Sequence, residues 1–198
     1  MSASLANSLS FLSPVIVATG VLIFALFSAS FLKGLFFLFW LLVATATRIA
    51  FLWMIGASPL AATTNPICTS GDFLPYANTT YSTFALCFTF FYFTMPMYIS
   101  DNVNYVVLTF FLSYIMFDIA IKLTNACYPS VASVLGEILA GGGLAALIVS
   151  LLYNSPIGNY LFTNEVNTNK EVCNMPSKQT FRCSVYKNGE LVSSSLTS

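Results

Sequence analysis

Histidine is absent from this chain, and charged residues are scarce. The 198 residues include no histidine, and 7% carry a charge, against roughly 25% in an ordinary soluble domain. Without histidine, the commonest general base and the commonest zinc ligand are missing, which excludes most hydrolase and metal-site arrangements. The charge deficit is too large for a water-facing surface, and 57% of the residues are hydrophobic. The composition therefore predicts an integral membrane protein and not a soluble enzyme.

The few charges are balanced, and half of them lie near the C-terminus. Seven basic and seven acidic residues give a formal net charge of zero, and seven of these charges fall in the last 38 residues. No run of Lys and Arg is dense enough to neutralise a row of phosphates. We therefore expect no nucleic-acid partner, no cofactor and no metal ion. The chain is expected to divide into a membrane region and a polar tail.

Long apolar stretches predict several membrane-spanning helices, each of which needs about 20 residues. We expect an all-α bundle of about five such helices within 11–153, preceded by a polar segment at 1–10. Proline, glycine and asparagine between the second and third stretches predict a loop outside the membrane at 56–80. Five spans place the termini on opposite faces; one long tilted helix and a re-entrant segment within 11–55 would place them on the same face. The predicted spans are 11–30, 34–55, 82–99, 105–123 and 131–153.

Four ionisable side chains fall within the predicted spans, where such groups are costly and mark paired or functional positions. At a rise of about 1.5 Å per residue, three of them lie at one depth, and the fourth follows one turn later on the same side of its helix. We expect a neutral cluster that fastens the second, fourth and fifth spans, with the lysine extending to the interface. A proton or ion path through the bundle is the alternative. The cluster comprises Arg48, Asp118, Lys122 and Glu137.

Small residues recur along the fifth predicted span and would allow another helix backbone to approach closely. Gly142 and Ala146 form one of several overlapping pairs spaced four residues apart. Three successive glycines also occur in phosphate-binding loops, but no strand precedes these glycines and no Gly-Lys-Ser follows them. We therefore interpret them as a helix-packing face. It comprises Gly136, Ala140, Gly141, Gly142, Gly143 and Ala146.

The five cysteines lie in two loops, one span and the tail. Cys68 and Cys127 are in loops that the five-span topology places on one face, so a disulfide can join them if that face is oxidising. Cys173 and Cys183 of the tail can form a second bridge or remain free thiols. Two cysteines without histidine make a poor zinc site, so a metal is not expected there.

The polar tail, residues 154–198, contains an alternating pattern that is typical of a β-strand. An Asn-Gly pair follows this pattern, as in the two-residue turn of a hairpin. We therefore predict a small β-hairpin over 179–193 that can contact a protein partner. The candidate contact residues are Phe181, Val185, Tyr186, Asn188 and Gly189.

The tail segment from Cys173 to Gly189, CNMPSKQTFRCSVYKNG, resembles short tail modules in membrane and minor capsid proteins of large icosahedral nucleocytoplasmic DNA viruses, such as algal viruses. The resemblance covers this segment alone, and the spans carry no family motif. It implies a virion protein in the internal membrane beneath an icosahedral capsid, with a tail that contacts capsid proteins.

The leading hypothesis from the sequence is a structural membrane anchor, or scaffold, whose tail connects the bilayer to a protein assembly. Self-association into an oligomer is left open. One alternative is a small channel or transporter subunit that uses the charges within the spans. Another is an ordinary cellular membrane protein with a passive tail.

Overall fold

The computed structural model describes residues 2–56, 68, 80–128, 130–163, 181–187 and 190–197, and it describes side chains from residue 6 to residue 163 within those ranges. The helical part of the described chain, residues 2–163 with the gaps given above, is here called the membrane body, and it is all-α. Its helices are α1 Ser2–Phe11, α2 Ser13–Phe27, α3 Phe31–Met54, α4 Tyr81–Ile99, α5 Tyr105–Thr124 and α6 Val131–Tyr153, followed by a short 3-10 helix, Pro156–Tyr160.

Four helices, α3 to α6, are long and apolar enough to cross a membrane. The first predicted span, at 11–30, differs, because α2 has only 15 residues. Pro14 lies in its first turn and has no N–H with which to continue the hydrogen bonds of α1, so the helix is interrupted there. The expected polar segment at 1–10 is not separate from the body; most of it forms α1, which packs on α5.

Helix α4 is the centre of the body. In its most apolar part, 72% of the residues are buried, against 17% to 33% in α3, α5 and α6. It packs against α2, α3, α5 and α6, most extensively against α6. A helix that is surrounded by other helices can be apolar around its whole circumference, which explains the many aromatic residues of α4.

Three tight turns reverse the chain between successive helices, and across two of them the joined helices pack together, α2 on α3 and α4 on α5. In each turn one residue adopts the left-handed conformation: Ala29 at φ 50°, Asp101 at φ 58° and Ala126 at φ 53°. The following N–H donates to a carbonyl five residues earlier, as from Ser30 to Ala25, which is the Schellman pattern of helix ends. The turns at 28–30 and 100–104 lie at the end of the bundle where α6 ends, here called the tail face. The turn at 125–128, which follows α5, lies at the opposite end, here called the disulfide face.

Two glycines of α6 allow close contact with α4. A Cβ atom on Gly141 would collide with the backbone carbonyl of Phe84, and one on Gly142 would lie 2.7 Å from the ring of Phe91. A side chain at Gly141 would meet backbone atoms of α4 and push the helices apart, whereas at Gly142 the Phe91 ring would have to move. Close packing of α4 and α6 therefore depends above all on Gly141.

Other members of the predicted small-residue face do not pack inside the bundle. A Cβ atom on Gly136 or Gly143 would meet nothing within 4 Å, and Ala140 is exposed. These positions lie three and four residues apart, so they share a face of α6 different from that of Gly141. The packing face predicted from the sequence therefore included residues that do not contact another helix closely. Its last member, Ala146, is half-buried.

The chain returns to the bundle after α6. Leu161 and Phe162 are buried, and the ring of Phe162 stacks on Phe93 of α4 with 5.1 Å between ring centroids. It also contacts Phe24 of α2 at 5.8 Å. The first residues of the predicted tail, 154–163, therefore contact the bundle, because the apolar side chains after the 3-10 helix pack between α2 and α4.

Further along, the structure describes the backbone of two strands, β1 Phe181–Lys187 and β2 Glu190–Thr197, paired antiparallel with Lys187 opposite Glu190. Their side chains and residues 188–189 lie outside the described residues. A hairpin that serves as an interaction module therefore stays a prediction. Most of the predicted loop at 56–80 also lies outside the described residues.

Replacing Gly141 with leucine is expected to lower the free energy of unfolding by about 1–3 kcal/mol, the usual effect of overpacking a core. The matched control is Gly143→Leu, which gains the same helix propensity at a position that faces open space. We expect no destabilisation of the control. Unfolding by SDS in mixed micelles, followed by circular dichroism, measures both variants. Equal losses in the two would contradict the assignment of Gly141 to the α4–α6 contact.

Candidate functional site

The ionisable residues of the spans lie in the half of the bundle nearest the disulfide face. Arg48, Asp118 and Glu137 are each six residues from the end of their helix at this face, which lies at Met54, Thr124 and Val131 respectively. At 1.5 Å per residue this depth is about 9 Å. The structure divides the expected single cluster into two ion pairs.

The first ion pair joins Asp118 to Lys122, one turn later in α5. Nζ of Lys122 lies 3.0 Å from Oδ2 of Asp118, and both side chains are fully buried. The carboxylate also accepts hydrogen bonds from hydroxyls of α1 and α4. The donors are Ser10 at 2.6 Å, Ser82 at 2.9 Å and Thr83 at 2.7 Å. Together with Lys122, these donors fill the roughly four acceptor sites of a carboxylate.

The ammonium group of Lys122 binds the same hydroxyls. It donates to Oγ of Ser82, to Oγ1 of Thr83 at 3.3 Å and to Asp118. These bonds use all three donors of an ammonium group. The expectation that Lys122 extends to the interface was therefore wrong, because the bundle itself supplies the polar partners.

Tyr128 covers this pair from the turn between α5 and α6. Its ring lies 5.7 Å from Nζ of Lys122, within the range of a cation–π contact. Its hydroxyl lies 2.6 Å from Oγ1 of Thr83. Burial raises the pKa of the Tyr128 phenol, which keeps it protonated and able to donate this hydrogen bond.

The second ion pair joins α3 to α6. Nε and Nη2 of Arg48 donate to the two carboxylate oxygens of Glu137 at 2.8 and 2.6 Å, a bidentate geometry that makes such pairs strong. Oγ1 of Thr80 accepts from Nη2 at 3.0 Å and donates to Oε1 of Glu137 at 2.7 Å. The rings of Tyr81 and Phe84 each lie 5.6 Å from Cζ of Arg48. The guanidinium is therefore held by ionic and aromatic contacts at once.

Hydroxyl side chains at the start of α4 contact both ion pairs. Thr80 binds Arg48 and Glu137, while Ser82 and Thr83 bind the other pair. This run was not predicted from the sequence, although hydroxyl residues that precede an aromatic span are a usable signal when other spans carry charges. We call the whole assembly the polar core. It comprises Ser10, Arg48, Thr80, Ser82, Thr83, Asp118, Lys122 and Glu137.

A disulfide joins the long loop to the end of α5. Cys68 and Cys127 are bonded and buried, and Phe11 packs against them. Cys127 follows the helix that carries Asp118 and Lys122, so the bridge fixes one point of the loop beside the polar core. The other pair considered from the sequence, Cys173 and Cys183, has no described side chains.

Aromatic side chains fill the half of the bundle nearest the tail face. Phe37 of α3 contacts Tyr92 and Phe93 of α4, with ring centroids 5.2 and 5.9 Å apart. The hydroxyls of Thr89 and Thr94 donate to carbonyls of their own helix. In the described part of the chain, the hydrogen bonds of the polar core do not extend through this layer.

The described residues contain no group of three or more His, Cys, Asp or Glu side chains that could hold a metal ion. Comparison with protein-family models, curated proteins and solved structures found no match. Function must therefore be inferred from the polar core and the packing around it.

Replacing Arg48 with methionine is expected to lower the free energy of unfolding by about 3 kcal/mol, the lower end of the range for a buried pair, because the Glu137 side chain loses its partner and is 12% exposed. Glu137→Met should be destabilising for the same reason. The double variant should recover most of the loss, since apolar side chains can replace a buried ion pair at little net cost. Fluorescence of Trp40 and Trp53, both in α3, can follow unfolding. A double variant that loses the sum of the two single effects would show that the residues do not act as a pair.

Proposed function

We propose that this protein is a structural membrane anchor whose C-terminal tail binds a protein assembly. The observation that carries the proposal is the pairing inside the polar core. The ion pair between Arg48 and Glu137 joins α3 to α6, and the Asp118 carboxylate accepts hydrogen bonds from hydroxyls of α1 and α4. Charged groups that pair with one another and with hydroxyls fasten helices to each other, which supports an anchor over a conducting subunit.

The aromatic layer supports the same proposal. A channel needs a polar or wettable route between its two ends, whereas here Phe37, Tyr92 and Phe93 pack together between the polar core and the tail face. A transporter needs two arrangements of its helices around a central site. The close α4–α6 contact at Gly141 and the bidentate ion pair both favour one fixed arrangement.

The beginning of the tail is fixed to the membrane body. Because Leu161 and Phe162 are buried against the bundle, the chain up to residue 163 is held in one defined place at the tail face. A fixed point of departure suits a connector between a bilayer and a protein layer. Exposed edges of a hairpin can add to a strand of a partner, which gives the predicted hairpin at 179–193 a means of binding.

A viral capsid is the assembly that we propose. The support is the resemblance of residues 173–189 to tail modules in membrane and minor capsid proteins of large icosahedral DNA viruses. On this proposal the protein lies in the internal membrane of a virion and its tail contacts capsid proteins. The two partners are then the lipid bilayer, which surrounds the helices, and the capsid proteins, which the tail contacts.

Removal of the tail after Thr163 is expected to abolish capture of capsid or other assembly proteins while the membrane body stays folded. The cut lies after Phe162, because an earlier one would remove side chains that pack in the bundle. The full chain and the 1–163 chain are purified from their native membrane in mild detergent, and captured proteins are identified by mass spectrometry. Gly189→Val, which disfavours the predicted turn, serves as a full-length variant expected to weaken capture.

Equal thermal stability of the full and shortened chains is the control for folding. Loss of the assembly proteins from both the shortened chain and the Gly189→Val variant would support a role for the hairpin. The same captured proteins with and without the tail would overturn the proposal.

A further inference from the structure

The two ends of the bundle differ in their basic residues. The disulfide face carries the turn after α5, the loop between α3 and α4, and the N-terminal segment, where Nδ2 of Asn125 donates to Oδ1 of Asn7 at 3.2 Å. None of these three segments contains lysine or arginine. Two basic residues, Arg48 and Lys122, belong to the polar core. All the others are at the tail face or follow it in the sequence.

These remaining basic residues are Lys33, Lys170, Lys178, Arg182 and Lys187. Lys33 lies in the first turn of α3, and Lys170 follows the end of α6 by 17 residues. Both are close enough to a span to count in the positive-inside rule, which places the more basic face in the cytoplasm. The helix dipole disfavours a cation in the first turn of a helix, so the stability of α3 does not explain Lys33.

The disulfide between Cys68 and Cys127 is a second, independent marker of orientation. Their Cα atoms are 5.5 Å apart, and Cys127 follows the end of α5 at Thr124 by three residues. Disulfides form and persist in oxidising compartments, whereas thiols in the cytosol are kept reduced. The face that carries the disulfide is also the face whose segments lack lysine and arginine. The two markers therefore agree.

We propose that the protein is inserted with its disulfide face in an oxidising compartment and its tail face in the cytosol. Formation of the bridge removes two protons and two electrons from the thiols of Cys68 and Cys127. The electrons pass to a protein disulfide of that compartment, which is reduced to a dithiol by the exchange. The reducing cytosol keeps Cys173 and Cys183 as thiols, so the second bridge considered from the sequence does not form.

This orientation also limits what can bind the tail. Residues 164–198 contain no apolar stretch of about 20 residues that could take the chain back across the bilayer. The tail therefore stays on the cytosolic side. The orientation itself does not depend on the proposed function; the kind of partner rests on it, because an assembly that the tail binds must then be cytosolic.

Cysteine tagging of the full chain in sealed microsomes, whose cytosolic side faces outward, tests the orientation. The probe is a membrane-impermeant maleimide with a polyethylene glycol chain that shifts the protein on a gel. We expect two tags on the unmodified chain in intact microsomes, at Cys173 and Cys183. Ile55→Cys and Ile157→Cys form a matched pair in a Cys173→Ser/Cys183→Ser background, because both isoleucines are exposed, at the disulfide face and the tail face respectively. Ile157→Cys should be tagged in intact microsomes, and Ile55→Cys only after detergent opens the membrane.

Tagging of the unmodified chain in SDS, with peptides identified by mass spectrometry, gives the redox state. We expect tags at Cys87, Cys173 and Cys183 without reductant, and at all five cysteines after reduction. Protection of the tail cysteines in intact microsomes, or tagging of Ile55→Cys there, would overturn the orientation. Free Cys68 and Cys127, or bonded Cys173 and Cys183, would contradict the assignment of compartments. Neither measurement uses capture of assembly proteins, so a wrong orientation and a wrong anchor function give different results.

Discussion

The carboxylate of Asp118 lies inside a bundle at a depth where no bulk water can solvate it, and much of the architecture follows from that constraint. A buried charge without partners is costly, so donors must come from the surrounding helices. They come from α1, α4 and α5 through Ser10, Thr83 and Lys122. The position of α1 and the rotation of α4 are thereby set by one acidic side chain. Arg48 and Glu137 impose the same kind of constraint on α3 and α6.

These ion pairs are better understood as determinants of geometry than as large sources of stability. A buried pair recovers little more than the free energy lost when its charges leave water. Its geometry, however, allows only one depth and one rotation of each helix. Close contact of α4 and α6 at Gly141 and the aromatic layer around Phe37 then add the van der Waals contacts that hold the arrangement. A fixed bundle of this kind suits a protein whose role is to hold a tail at a membrane.

Much of the helical body could be predicted from the sequence. Spans expected at 82–99, 105–123 and 131–153 lie close to α4, α5 and α6, because long apolar runs flanked by polar turns are direct signals of membrane helices. The common depth of the charges also follows from counting residues. Their division into two pairs could not be predicted, since it depends on which helices are neighbours. The same is true of the return of Phe162 to the bundle, where a short apolar segment finds its contacts only after α2 and α4 have packed.

The central claim is that the intramembrane charges fasten helices and carry no ions. The most direct test is a flux assay on the full chain in sealed liposomes, with dyes that report proton and potassium entry under an imposed potential. The account predicts no flux above that of protein-free liposomes. Flux through the unmodified protein that Glu137→Gln abolishes would contradict it and would make the polar core a conduction site.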